Sequence, residues 1–234
     1  MGRIARKLNY FTKAERALWC VSVALILVFF VVFDRAGYLT LAASLIGVTS
    51  LIFNAKGNPF GQMLMLVFSL LYGIVSYTFA YYGEMISYIG MSAPMAAFAL
   101  VSWLKNPYKG NKAEVSVHRL RARELIIVLV LTVPVTVGFY FILAHFNTAN
   151  LIPSTVSITT SFIAVCLTAL RSPFFALAYA ANDVVLIILW ALAALSDVSY
   201  LSMLICFIVF LVNDIYGYIN WSKMQKRQEK GAKK

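Results

Sequence analysis

LAYAANDVVLIILWALAAL, residues 177–195, is a run of hydrocarbon side chains broken near its middle by Asn182 and Asp183. Its length suits a helix crossing a bilayer, which takes about 20 mostly apolar residues. An ionised Asp at the bilayer centre costs about 2.5–3.5 kcal/mol on insertion scales, so it must face a cavity or a partner instead of lipid. A second amide–acid pair, Asn213–Asp214, interrupts FIVFLVNDIYGYINW at 207–221. Two such pairs point to a membrane domain with a polar interior.

The rest of the chain agrees. Hydrophobic residues make up 62% and charged residues 12%, against about half and about a quarter in soluble domains. Long uncharged runs alternate with short basic clusters. Eight runs are long enough to span, at about 16–33, 37–54, 59–82, 84–104, 123–145, 151–170, 173–195 and 197–221. Separators such as YG (82–83) and RSP (171–173) leave room only for tight helical hairpins. The expected fold class is an all-α polytopic membrane protein of about eight transmembrane helices.

With the N-terminus inside, all of the 20 basic residues except Arg35 fall in cytoplasmic segments. That bias orients the chain by the positive-inside rule and requires an even number of spans, so both termini are expected in the cytoplasm. The net charge of +11 is thereby explained by topology and by attraction to anionic headgroups, without a nucleic-acid partner. The first apolar run reads as an uncleaved anchor and not as a signal peptide. Cys20, Cys166 and Cys206 all lie in apolar runs and read as buried thiols. His118 and His145 sit in loops or at a helix end, and no metal motif, phosphate loop or catalytic triad spacing appears. Neither a cofactor nor an enzymatic activity is expected.

Two three-span segments resemble each other. TLAASLIGVTSLIFNAKGNPF (40–60) runs beside TVSITTSFIAVCLTALRSPF (155–174), each ending in a basic residue and then Pro-Phe. EMISYIGM (84–91) parallels DVSYLSM (197–203), and WLKN (103–106) parallels WSKM (221–224). A duplication joined by one extra helix gives two parallel repeats, an arrangement of transporters that bind substrate near the midplane. The expected organisation is a basic N-terminal segment and first helix (1–36), a three-helix bundle (37–104), and a basic loop with linking helix (105–146). A second three-helix bundle (147–222) and a basic cytoplasmic tail (223–234) follow, so the core is 3+1+3.

Helical periodicity of about 100° per residue sorts the polar groups into stripes. Tyr179, Asp183 and Trp190 share one, with Asn182 beside it. Asn213, Tyr216 and Asn220 share a face of the last span, and Asp214, Tyr218 and Trp221 the neighbouring face. Gln62, Ser69, Tyr72 and Ser76 stripe the third span. Ser69, Ser76 and the cluster Thr159, Thr160, Ser161 read as packing between helices, and Trp103, Trp221 and Tyr218 as anchors at the cytoplasmic interface. Tyr72, Gln62 and Asp214 read equally as lining or as structure. Met91 and Pro94 mark a kink in the fourth span. Amides, hydroxyls, carboxylates and aromatic faces suit a sugar-bearing aromatic molecule, cationic or neutral. Without Lys or Arg in the spans, nothing would hold a phosphate.

The YYGE link (81–84), the helix ending WLKNPY (103–108) and the terminal NDIYGYINW (213–221) resemble the PnuC family of vitamin transporters. The resemblance covers about 37–222. It implies import of nicotinamide riboside, an NAD precursor, by facilitated diffusion with a cytoplasmic kinase trapping the product. It further implies a SWEET-like 3+1+3 build, a homo-oligomer such as a trimer, and residence in a bacterial cytoplasmic (inner) membrane. Carried onto this chain, the substrate-binding residues are Gln62, Tyr72, Asn182, Asp183, Trp190, Asn213, Asp214 and Tyr216. The alternatives are a uniporter for another vitamin (riboflavin or thiamine), for a nucleoside or for a sugar. An integral-membrane enzyme would need a reactive cluster that the two distant histidines do not supply.

Overall fold

The structure is a computed structural model that describes residues 10–78, 81–148 and 150–232. Arg3, Arg6 and Lys7 of the basic N-terminal segment lie outside the described residues. Among those described, eight helical spans are long and apolar enough to cross a membrane. They are α1 (Lys13–Phe33), α2 (Tyr38–Ala55), α3 (Pro59–Thr78), a broken fourth span, α6 (Ala122–His145), α7 (Leu151–Ala169), α8 (Phe174–Ala194) and α9 (Leu201–Ala232). The fourth span consists of α4 (Tyr82–Ser87), a π-helical turn (Tyr88–Ser92) and α5 (Ala93–Lys105).

Local chemistry sets the ends of these helices. Thr12 and Glu15 form a capping box at the start of α1, with Thr12 N donating to Glu15 Oε2 at 2.7 Å and Glu15 N to Thr12 Oγ1 at 3.2 Å. Glu15 is buried and also receives Lys56 Nζ at 3.1 Å and the Tyr216 hydroxyl at 3.1 Å. The paired motifs AKGNPF and ALRSPF make matching turns. Gly57 (φ 65°) follows α2 and Arg171 (φ 57°) follows α7, and a proline then opens the next helix in each.

Six spans close a ring. Going round, α2 packs on α3, α3 on α5, α5 on α7, α7 on α8, α8 on α9, and α9 returns to α2. The helix α1 packs outside on α2 and α9, and α6 packs outside on α7. Of the buried residues on α6 only Val128, Thr132 and Leu143 appear; the rest of its apolar surface faces outward, as on a helix bathed in lipid. A hydroxyl pair, Thr136 to Thr159 at 2.9 Å, holds α6 to the ring.

The ring is locked by reciprocal bonds at the end that carries the C-termini of α2 and α7. Trp103 Nε1 donates to Thr168 O at 2.9 Å and Ser102 Oγ to Ala169 O at 2.9 Å. In the mirror position, Trp221 Nε1 donates to Asn54 O at 2.7 Å and Asn220 Nδ2 to Ala55 O at 2.6 Å. Each closing tryptophan thus satisfies a helix C-terminal carbonyl, a group with no intrahelical partner. Both indoles are fully buried, with centroids 5.2 Å apart. Trp103 and Trp221 are therefore core residues and not the interface anchors that their position in the sequence suggested.

Two further features depart from the sequence reading. A short antiparallel hairpin, β1 (Pro107–Tyr108) and β2 (Asn111–Val115), occupies the basic loop. The segment from residue 223, expected as a tail, continues α9 to Ala232 because it gains a tertiary partner. Gln228, 7% exposed, accepts from Val117 N at 2.8 Å and donates to Val115 O at 3.0 Å.

The close approach of α3 to α2 gives a stability prediction. A Cβ on Gly61 would sit 2.3 Å from Asn54 Oδ1 and 2.7 Å from the Asn54 backbone nitrogen. Asn54 also holds Gln62 Nε2 at 2.9 Å and Trp221 as above, so it has nowhere to retreat. Overpacking of this kind costs about 1–3 kcal/mol. Gly61→Ala should lower the unfolding midpoint of the purified protein, read by thermal denaturation in detergent, whereas Gly90→Ala, which meets open space, should leave the packing around it undisturbed.

Candidate functional site

At the centre of the ring lies a cavity to which every ring span contributes. Leu51 comes from α2; Met65, Phe68 and Ser69 from α3; Tyr88 and Ser92 from the π turn; and Ser161 from α7. Tyr179, Asn182 and Asp183 come from α8, and Phe207, Phe210 and Asp214 from α9. The cavity is small, about 20 Å³, on the scale of one water.

Aromatic clusters pack against its lining residues on two sides, Tyr72 on Tyr88 and Phe207, and Phe175 on Tyr179. On the side of the α3 C-terminus, Trp190 Nε1 donates to the Tyr72 hydroxyl at 2.9 Å. The Trp190 ring lies 5.0 Å from Tyr81 and 5.7 Å from Tyr200, and Tyr72 lies 4.3 Å from Tyr88. On the other side Trp103, Trp221 and Phe175 pack together, with Phe175 4.9 Å from Trp221.

The polar wall is specific in its chemistry. Three hydroxyls of α7 converge on Asn182 Oδ1: Ser157 at 3.2 Å, Thr160 at 2.9 Å and Ser161 at 3.0 Å. Three donors on the carbonyl oxygen fix the orientation of the Asn182 amide and leave its NH2 as the donating end. Asp183 and Asp214, 3% and 5% exposed, face each other within hydrogen-bonding reach. Asp183 Oδ2 and Ser69 Oγ have no hydrogen-bond partner among the described residues. A buried unpartnered acceptor is costly, so its persistence beside a cavity fits a role toward a ligand. Tyr88, Tyr179, Phe68, Phe207 and Phe210 supply π faces around the acids. Among the described residues the wall holds no Lys, Arg or His, and no group of three His, Cys, Asp or Glu could hold a metal.

The eight residues carried over from the sequence divide three ways. Asn182, Asp183 and Asp214 line the cavity, while Tyr72 lies behind its wall, packed on the lining rings of Phe68, Tyr88 and Phe207, with Trp190 bonded to it. Gln62, Asn213 and Tyr216 point elsewhere. Gln62 binds Asn54 at the helix end, Asn213 Nδ2 binds Ser22 Oγ on α1 at 3.0 Å and Val209 O at 2.8 Å, and Tyr216 binds Glu15. Asn213 and Asp214 are adjacent, so one turns outward to α1 as the other turns inward. The sequence reading assigned Ser69 and Ser161 to packing and passed over Tyr88 and Ser92. With Glu84 these two recur every four residues, a polar stripe along one face of the fourth span.

The fold and the site agree with what is found among known proteins. Residues 37–223 match the model of the family described as nicotinamide mononucleotide transporter. The nicotinamide riboside transporter PnuC of Neisseria mucosa is 29% identical over 215 residues, covering 90% of this chain and 82% of that protein. The crystal structure of the vitamin B3 transporter PnuC superposes with a TM-score of 0.82 at 28% identity, over 93% of this chain and 94% of that one. A ring of six apolar spans around a polar, aromatic-walled cavity is accordingly the core of a multi-pass membrane transporter, and the chain belongs to the PnuC family.

Proposed function

We propose that this protein carries nicotinamide riboside across the bacterial cytoplasmic membrane by facilitated diffusion. The observation that carries this reading is the central cavity, which among the described residues has two carboxylates, an amide and several aromatic faces but no basic side chain. The riboside is a flat pyridinium cation bearing a carboxamide and a ribose. The acids match its charge, the rings match its face, and Asn182 matches a carbonyl or hydroxyl. The mononucleotide in the family's description would bring a phosphate dianion against Asp183 and Asp214, with nothing to neutralise it. A second reading, import of thiamine, draws on the same observation, because a thiazolium is also a flat cation.

The two three-helix units, 37–104 and 147–222, would rock against each other around the cavity, exposing it to one side at a time. The ring and its reciprocal tryptophan locks support this division, and the small size of the cavity suits an occluded state between the two exposures. Both termini would lie in the cytoplasm, where a kinase traps the product by adding the phosphate that the cavity rejects. Assembly as a homo-oligomer, such as a trimer, belongs to the same reading.

Purified protein in liposomes should take up labelled riboside down its gradient, with no ATP and no imposed ion gradient, and a hundredfold excess of mononucleotide should not compete. Equal competition by the mononucleotide, or uptake only with an imposed ion gradient, would reject the proposal.

A further inference from the structure

The cavity does not account for Glu84. This carboxylate is fully buried near the start of α4, and neither of its oxygens has a hydrogen-bond partner among the described residues. Ser157 lies beside it, but the Ser157 hydroxyl also serves Asn182. Even if that proton turns to Glu84, most of the roughly four lone-pair directions of a carboxylate stay empty. Thr148, packed over the neighbouring Gly83, likewise has a buried hydroxyl without a partner. The phenols of Tyr72, Tyr81 and Tyr88 are within electrostatic reach of Glu84, and among the described residues no basic group is paired with it.

Its placement is directional. Glu84, Tyr88 and Ser92 follow at four-residue spacing, and the second and third of these line the cavity. Tyr88 shares the cavity lining with Asp183 and is within electrostatic reach of Glu84 as well. Glu84 lies toward the end of the bundle closed by Tyr72, Tyr81 and Trp190, the outer end by the positive-inside rule. The π turn starting at Tyr88 sits directly below, and such turns often mark functional places in helices. An acid kept fully buried without a cationic partner adds nothing obvious to the fold.

We propose that Glu84 is a second, outer counterion station, which holds the positive charge of an organic cation on its way between the outer side and the Asp183–Asp214 pair. Resting on the transport reading above, this makes the route selective for charge as well as shape. Substrate passes from one buried carboxylate to the next along the Tyr88 face, so its cation is not left uncompensated beside the Tyr72, Tyr81 and Trp190 cluster. The uncharged dihydro form of the riboside has nearly the same shape and needs no such station.

The test compares initial uptake of riboside and of its dihydro form in liposomes containing wild type, Glu84→Gln or Glu84→Asp, alongside thermal unfolding without ligand. Glu84→Gln keeps the size and removes the charge. It should slow the cation at least tenfold, leave the dihydro form within twofold, and leave the unfolding midpoint unchanged or raised. Glu84→Asp should retain the preference for the cation. Equal slowing of both forms, no slowing of either, or lost stability with unchanged charge discrimination would overturn the proposal. So would a wild-type protein that prefers the uncharged form. If wild type carries thiamine and not the riboside, and Glu84→Gln slows thiamine tenfold, the riboside assignment falls and the counterion station stands.

Discussion

Asp183→Asn should weaken binding of nicotinamide riboside by about 30- to 1,000-fold. The substitution keeps the shape of the side chain, so the packing of α8 against α7 and α9 is retained. What goes is the charge that would face the pyridinium ring, in a buried site. Removing one member of a buried charge pair costs about 2–4 kcal/mol, and each 1.4 kcal/mol is a factor of ten. The ligand-free protein should gain stability, because two carboxylates buried against each other oppose folding. Titration calorimetry and thermal unfolding read the two effects separately. Asp214→Asn should behave alike, and the double variant should lose less than the sum, since the two acids share one task. A change in affinity below threefold would remove Asp183 from the site.

The largest loss of stability is expected from Trp221→Ala. The indole is fully buried, packs 4.9 Å from Phe175 and 5.2 Å from Trp103, and donates to Asn54 O at 2.7 Å. Truncating a buried Trp costs about 3–5 kcal/mol in cavity and contact energy. The orphaned Asn54 carbonyl adds to this. Trp103→Ala removes the reciprocal lock, through Thr168, and should cost a similar amount. Trp19→Ala, whose indole is 38% exposed, should cost far less. Unfolding midpoints of the three variants in detergent check the ranking; a Trp221→Ala loss no larger than that of Trp19→Ala would refute the lock.

Much of this was legible in the sequence, for identifiable reasons. Span positions follow from hydropathy and length, because lipid forces every backbone group to bond within a helix. Asn182 and Asp183 stood out because a carboxylate in an apolar run needs a reason. Other features depend on which neighbour a side chain meets, and periodicity does not give that. Asn213 and Asp214 lie on adjoining faces of α9, both polar, and only the placement of α1 decides that Asn213 meets Ser22 while Asp214 meets the cavity. Trp103 and Trp221 sit where interface anchors usually sit, and their burial comes from contact between the two halves of the ring. The four-residue spacing of Glu84, Tyr88 and Ser92 was present in the sequence. It was hidden by the apolar residues between them and by a π turn that no local pattern announces. The helical end of α9 reads as a charged tail until β2 supplies Gln228 with partners.

Transport of the riboside as proposed requires a cavity that accepts the dephosphorylated cation and rejects its phosphate. The most direct measurement is thermal unfolding of the purified protein with riboside, mononucleotide or thiamine. A ligand that binds only the folded state stabilises it by about 2.7 kcal/mol at one hundred times its Kd. The account predicts a rise in midpoint with the riboside and none with the mononucleotide at the same concentration. An equal or larger rise with the mononucleotide would contradict it, since Asp183 and Asp214 would then be facing a bound dianion.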